Sequence, residues 1–132
     1  MNPSEPWPKR VSVEHVYLSY AYLNARDYDA FASLLDEDVT LRESDGTAAF
    51  GRAAVTAAEE SRRFTYVIED LWGSAEKMVV TGIRRRPEDP CTAVDFAAIF
   101  NLSKCGLISS CRTYVAPVSA DEEARGGARK ET

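Results

Sequence analysis

The spacing of apolar residues changes character near the middle of the chain. In the first half they recur every three or four positions, which is typical of amphipathic helices. In the second half they alternate with polar residues or form short runs, which is typical of strands. The pattern predicts three helices, with one strand between the second and the third, followed by four strands. The predicted helices cover residues 11–25, 27–35 and 51–63, and the predicted strands cover 39–43, 65–72, 76–86, 92–102 and 107–116. The second helix is predicted to begin at Asp27 as its N-cap.

Helices gathered in the first half and strands in the second half indicate the α+β class. We expect a curved antiparallel sheet wrapped around three N-terminal helices, shaped like a cone whose interior can be hollow. Residues 1–9 contain three prolines and are predicted to form an extended arm before a single domain at 10–117. Residues 118–132 lack apolar periodicity and are predicted to form a disordered tail.

The strand predicted at 92–102 is apolar on both of its faces, which is unusual for a sheet covered by helices on one side only. A second surface must then cover the other face, and a partner subunit is the simplest candidate. The sequence therefore predicts a homodimer that forms through the sheet. One face carries Val94, Phe96, Ala98 and Phe100, and the other carries Ala93, Asp95, Ala97 and Ile99.

Composition narrows the classes of partner. The chain has 132 residues, enough for one domain, and carries 21 acidic against 16 basic residues for a net charge of −5. This balance disfavours a nucleic-acid binder, which would present a basic face. No apolar run is long enough for a membrane helix, and the N-terminus lacks the apolar region of a signal peptide. We therefore expect a cytoplasmic protein with neither nucleic acid nor membrane as a partner.

Cysteine and histidine spacing argues against a metal site. The three cysteines, Cys91, Cys105 and Cys111, include no C-x-x-C pair, and the single histidine, His15, is distant in sequence. Structural zinc sites need closely spaced ligand pairs. We expect reduced thiols, no metal and no other cofactor.

Several short segments resemble the nuclear transport factor 2-like (NTF2-like) superfamily, whose fold is also called cystatin-like, and within it the SnoaL-like branch. The resemblance covers most of residues 11–117 and implies the cone-shaped fold. The superfamily includes ketosteroid isomerase, limonene epoxide hydrolase, SnoaL-like polyketide cyclases, and non-catalytic binding or assembly modules. The segments that carry the resemblance are 23–31 (LNARDYDAF), 35–41 (LDEDVTL), 50–52 (FGR), 106–108 (GLI) and 112–114 (RTY).

The resemblance to ketosteroid isomerase implies roles for individual positions. Glu43 matches the general base at the end of the first strand of that enzyme. Ser19 and Ala98 replace the tyrosine and the protonated aspartate of its oxyanion hole, and Asp95 matches an acid that points away from the pocket. The base position is therefore retained without the oxyanion hole. The Asp-Arg-Asp set of the hydrolase and the late-strand acid or histidine of the cyclases have no counterpart.

Three residues are candidate catalytic groups: Glu43, Asp95 and His15. A carboxylate at a cone mouth is partly desolvated and can exchange a proton with a ligand, so Glu43 is the first choice; a solvated strand end is the alternative. His15 is the only side chain whose unperturbed charge changes near neutral pH. It can reach the rim of the pocket or lie on the surface.

Asp95 lies in an apolar strand and needs a partner. A tight turn at 103–106 would place it opposite Tyr114 and diagonal to Arg112. Such a cluster would make Asp95 a structural or interface residue, and an active-site role is the alternative.

Other positions are candidates for contact with a ligand. Trp72 can stack on a flat ligand or pack on the sheet, and Cys111 is interpreted as a small apolar filler. One of Glu59 and Glu60 can face inward from the third helix. The predicted ligand-binding residues are Ser19, Tyr20, Leu23, Trp72, Phe96, Ala98 and Cys111.

These observations lead to two functional hypotheses. The first is a cofactor-free SnoaL-like acid–base enzyme, either a cyclase, an isomerase or a dehydratase. It would act on a small apolar metabolite, such as a polyketide in secondary-metabolite biosynthesis. The second is a small-molecule-binding or dimeric assembly module on the same fold. An enzyme should have an open interior around Glu43, and a module should have a filled one.

Overall fold

The computed structural model describes residues 9–116 and shows three helices and six strands. The predicted α+β class and the curved sheet with its helices are confirmed. The arm predicted at 1–9 lies outside the described residues, except that Lys9 begins the first helix, and so does the tail predicted at 118–132. The elements are α1 (Lys9–Asn24), α2 (Tyr28–Ser33), β1 (Leu35–Glu43), β2 (Ala48–Phe50), α3 (Arg52–Arg62), β3 (Thr65–Gly73), β4 (Lys77–Arg86), β5 (Asp89–Leu102) and β6 (Ile108–Val115).

The six strands form one curved, unclosed sheet in the order β2-β1-β6-β5-β4-β3. All neighbouring strands are antiparallel except β1 and β6, which run parallel. Alternate side chains of each strand point to the inner face, where α1 and α3 pack, and the others point to the outer face. The apolar core lies between the inner face and the helices, and its fully buried members include Val16, Met78 and Val80.

The structure corrects the prediction around the second helix. Asp27 is the N-cap as predicted, and its side chain accepts a hydrogen bond from the Ala30 amide, but the helix ends at Ser33. Leu35 already begins β1, so the acidic segment 36–38 lies within a strand. A three-residue strand, Ala48–Phe50, pairs with β1 and was not predicted. Such short segments carry too few residues for a periodic signal.

The predicted register between the last two strands is wrong by two residues. Ala97, and not Asp95, lies opposite Tyr114, and Ile99 lies opposite Arg112. The loop is longer than a tight turn, since Leu102 pairs with Ile108, and an irregularity lies between Asn101 and Leu102. The expected cluster of Asp95, Arg112 and Tyr114 therefore does not form as drawn from the sequence.

Candidate functional site

The interior of the cone contains a narrow cavity between the helices and the inner face of the sheet. Its free volume is about 30 Å³, which is room for one or two water molecules and far below the ~300 Å³ of a typical ligand pocket. The wall is mostly apolar, with a few polar groups. It is lined by Ser19, Tyr20, Leu23, Phe31, Leu35, Val39, Thr40, Leu41, Val55, Glu59, Tyr66, Phe100, Ile108, Cys111 and Thr113.

A cluster of four charged side chains, Glu43, Glu59, Arg62 and Arg84, lies beside this cavity. Both terminal nitrogens of Arg84 donate to Glu43, at 3.0 and 3.1 Å. Arg62 Nη1 lies 2.6 Å from Glu43 Oε2, and Arg62 Nη2 lies 3.1 Å from Glu59 Oε2. The Glu43 side chain is only 3 % exposed, so it is not a solvated strand end. We name this group the arginine–glutamate cluster.

Glu59 joins the cluster to the cavity, because its side chain also forms part of the cavity wall. Glu59 Oε1 accepts a hydrogen bond of 3.1 Å from the Tyr66 hydroxyl. Burial raises the pKa of the Glu59 carboxyl, and the negative charge of Glu43 acts in the same direction. Arg62 and the Tyr66 hydroxyl act in the opposite direction without cancelling this effect. Glu59 therefore holds its proton to a higher pH than an exposed glutamate does.

Phe64 provides an apolar surface beneath both guanidinium groups. The Arg84 Cζ atom lies 4.2 Å from the centre of the Phe64 ring, and the Arg62 Cζ atom lies 5.2 Å from it. These distances are within the range of cation–π contacts. The ring and the two glutamates together restrict both arginines at the edge of the cavity.

Burial also keeps the hydroxyl and thiol groups of the cavity wall in their neutral, protonated forms. It raises the pKa of the Tyr20 and Tyr66 hydroxyls well above their usual values, so both remain protonated. It raises the pKa of the Cys111 thiol to about 12, which removes the thiolate form that a nucleophile needs. The hydroxyl of Ser19 donates to the Val16 carbonyl at 2.6 Å and is therefore occupied within its own helix.

The structure brings most of the predicted ligand-binding residues to the inner face. Ser19, Tyr20, Leu23 and Cys111 line the cavity. Phe96 and Ala98 are buried nearby. The Phe96 ring centre lies 5.8 Å from that of Tyr20 and 5.6 Å from that of Tyr66.

Three other candidates lie away from the cavity. Asp95 and Trp72 are exposed on the outer face, since they pair with Ile83 and Val79 at outward positions of β4. His15 contacts the Gly106 carbonyl through Nδ1, at the loop between β5 and β6. That loop lies at the opposite end of β6 from the residues beside Glu43.

The two arginines of the cluster are not among the candidates that the sequence offers. Arg84 belongs to a basic run at 84–86 that resembles a solvated strand end, yet it is only 5 % exposed. It shares the inward positions of β4 with Met78, Val80 and Gly82. The alternation of inward and outward positions along this strand, continued into the basic run, is therefore the signal that places Arg84 inside. The helical period places Arg62 on the same face of α3 as Val55 and Glu59. Its contact with Glu43 has no such signal, because that contact joins α3 to β1.

Two further structural properties bear on function. Among residues 9–116, no group of three or more histidine, cysteine, aspartate or glutamate side chains is placed to hold a metal ion. No helix within the same part of the chain has the length and apolar character needed to cross a membrane.

The chain belongs to the SnoaL-like domain family, whose sequence model matches residues 16–111. The match covers the cavity wall from α1 to Cys111 and includes all four residues of the arginine–glutamate cluster. No curated protein matches the chain.

Solved structures show the same NTF2-like fold. An NTF2-like protein of unknown function from Cytophaga hutchinsonii has a TM-score of 0.72 at 18% identity, over 89% of this chain and 96% of that one. A putative ketosteroid isomerase from Kribbella flavida has a TM-score of 0.74 at 16% identity, over 84% and 82%. The epoxide hydrolase/cyclase-like enzyme SalBIII, which has a role in pyran ring formation in the polyether salinomycin, has a TM-score of 0.67 at 20% identity, over 80% and 90%.

Proposed function

We propose that this protein is a cytoplasmic SnoaL-like acid–base enzyme that moves a proton on a small apolar metabolite, in a cyclisation, isomerisation or dehydration. Glu59 is the group that transfers the proton. The observation that carries this proposal is a buried carboxyl group in the wall of an apolar cavity, with a raised pKa and a hydrogen bond from Tyr66. A carboxyl group so placed can both give and take a proton, and the chemistry needs no cofactor.

Glu59 replaces Glu43 as the proposed catalytic base. Glu43 accepts two hydrogen bonds from Arg84 and forms an ion pair with Arg62, so a substrate proton would have to compete with two guanidinium groups. We assign Glu43 a positioning role in the free protein: it holds Arg62, which in turn lies 3.1 Å from Glu59. The Tyr66 hydroxyl is a second hydrogen-bonding group in the cavity wall.

Substrate binding requires the cavity to widen, since its free volume is about 30 Å³. In the described part of the chain, α3 contributes only Val55 and Glu59 to the cavity wall. A shift of this helix would therefore enlarge the cavity and leave most of the wall in place.

The base-promoted ring opening of 5-nitrobenzisoxazole tests this role without an oxyanion hole. The carboxylate removes the C3 proton, the C–H electron pair completes a nitrile, and the N–O bond breaks to release a coloured phenolate. We expect the wild-type protein to accelerate the reaction and Glu59→Gln to lose roughly 100-fold in rate. Glu60→Gln, an exposed neighbour, is the matched control and should retain the wild-type rate. Equal rates for the wild type and Glu59→Gln would reject the proposal.

A second function is favoured by the small size of the cavity. A filled interior fits an assembly module that acts through its outer surface and not through a pocket. The outer face of the sheet supplies such a surface, because Val67, Trp72 and Tyr114 are among the large apolar residues with 44 % exposure or more. We propose that this face binds a second copy of the chain in either case, as an enzyme or as a module.

The charges of the outer face support a second copy of the chain as the partner. One row across the sheet consists of Arg42, Arg112, Ile99, Val79 and Trp72. The two arginines lie side by side on β1 and β6, and neither forms a salt bridge with another residue of the described range. The opposite side of the face carries the acidic side chains Glu69, Asp70 and Asp95 together with one basic side chain, Arg85. A two-fold axis near β5 would set the basic side of one copy against the acidic side of the other.

A further inference from the structure

The arginine–glutamate cluster has more buried donors than acceptors. Both terminal nitrogens of Arg62 are within ion-pair distance of a glutamate, but at angles that make no hydrogen bond. The Nε atoms of Arg62 and Arg84 are also buried without a hydrogen-bond acceptor among the described residues. A buried N–H group without an acceptor is unfavourable, because it has lost its hydrogen bond to water and gained none in return. These donors are therefore available to an acceptor other than the glutamates.

The charge of the cluster identifies the kind of acceptor. Glu43 forms ion pairs with both guanidinium groups, whereas Glu59 forms one with Arg62 alone. The donors that remain without an acceptor belong to the two guanidinium groups, which are permanently positive. The acceptor that matches the fork of a guanidinium group is a planar carboxylate.

The surroundings of the cluster identify the rest of the ligand. Phe64 covers one side of both guanidinium groups, and the adjoining cavity is lined mainly by apolar side chains such as Leu23, Val55 and Phe100. Arg62 has the most exposed side chain of the cluster, at 16 %. The guanidinium nitrogens of Arg62 are themselves buried, so a ligand arriving from solvent reaches them, and the apolar cavity behind them, only when this side chain moves.

We propose that Arg62 and Arg84 bind the carboxylate of a small ligand with an apolar chain, and that Glu43 occupies this position when the ligand is absent. The inference rests on the proposed function, for which it names the substrate class: an apolar carboxylic acid. The ligand carboxylate takes the place of the Glu43 side chain on Arg62, and its apolar chain enters the cavity toward Glu59 once the cavity has widened as proposed above.

Calorimetric titration with matched five-carbon probes tests the proposal on the wild-type protein. We expect sodium pentanoate to bind at least about 10-fold more tightly than 1-pentanol, since a charge-assisted hydrogen bond contributes more than a neutral one. Pentylamine should not bind. Equal affinities for the acid and the alcohol, or no binding of either, would overturn the assignment.

Substitution of Glu43 gives a second prediction, in which the affinity for pentanoate increases. Glu43→Gln removes the internal competitor, so pentanoate should bind about 10-fold more tightly than it does to the wild type, while Glu60→Gln should bind as the wild type does. If Glu43→Gln does not fold, the comparison of pentanoate with 1-pentanol on the wild type still decides.

The ring-opening reaction distinguishes this inference from the proposed function, because the nitrobenzisoxazole probe is uncharged and reports on Glu59. If the protein accelerates ring opening but does not prefer pentanoate, only the substrate class is rejected. If it prefers pentanoate but does not accelerate ring opening, only the catalytic role of Glu59 is rejected.

Discussion

Single residues decide how the interior of this protein behaves. Glu59 and Glu60 are neighbours of the same chemical type, yet one is buried beside Tyr66 and Arg62 and the other is exposed. Burial alone separates a group that can exchange protons inside a cavity from one that is simply hydrated. The same contrast distinguishes Arg84, enclosed against Phe64, from the exposed Arg86 two residues later.

The raised pKa of Glu59 predicts how stability varies with pH. A group whose pKa is higher in the folded state stabilises the fold fully below its unfolded value, here 4.5. That stabilisation is lost as pH rises from about 4.5 through the folded-state pKa. Urea unfolding at a series of pH values should therefore show the free energy of unfolding falling across this window in the wild type. Glu59→Gln should lack this contribution, and Glu60→Gln should retain it. Parallel profiles for the wild type and Glu59→Gln would contradict the prediction.

At the scale of elements, side chains that bind the backbone of a distant segment position the helices on the sheet. Asn24, at the end of α1, donates from Nδ2 to the Tyr66 carbonyl and accepts from the Tyr66 amide, both at 2.8 Å. Arg26 donates to the Phe64 carbonyl at 2.8 Å. These contacts anchor the beginning of β3 to α1 and so place Tyr66 beside Glu59.

Asn24→Ala should therefore destabilise the protein by about 1–3 kcal/mol, since it leaves a backbone donor and a backbone acceptor of Tyr66 without their partners. The free energy of unfolding in urea is the measurement. Asn101→Ala is a suitable control, because the Asn101 amide donates to the side chain of Ser110 and not to the backbone. A loss for Asn24→Ala no larger than that of the control would show that the anchor contributes little.

At the scale of the whole molecule, the sheet has two faces of different character. The inner face encloses the cavity and the arginine–glutamate cluster. The outer face combines exposed apolar residues with a basic side and a mainly acidic side, and this combination supports the proposed dimer. The proposed second copy would cover Trp72 and Tyr114 on each chain.

Sedimentation over a range of concentrations tests this assembly. We expect a wild-type mass of about twice 14.6 kDa, with Trp72→Ala weakening the dimer at least about 10-fold, as for a central aromatic residue of an interface. Phe50 is also exposed, at 69 %, but lies on β2 beside α3, so Phe50→Ala is the matched control. A monomeric wild type, or equal effects of the two variants, would reject the outer face as the interface.

The sequence by itself determined those features that depend on neighbours along the chain. The order of most of the helices and strands, the N-cap at Asp27 and the two-sided apolar character of β5 all follow from local spacing, because a helix and a strand repeat with different periods. The resemblance to the SnoaL-like branch extended the prediction from single helices and strands to the shape of the fold.

Only the tertiary structure decided which charged groups meet inside it. The pairing of Glu43 with Arg62 and Arg84 joins three separate elements, and no spacing along the chain encodes that contact. The register of β6 on β5 depended on a loop and an irregularity near Leu102, and a shift of two residues moved Asp95 away from Tyr114. Burial, which gives Glu59 its raised pKa, is a property of the assembled core and exists only once the helices cover the sheet.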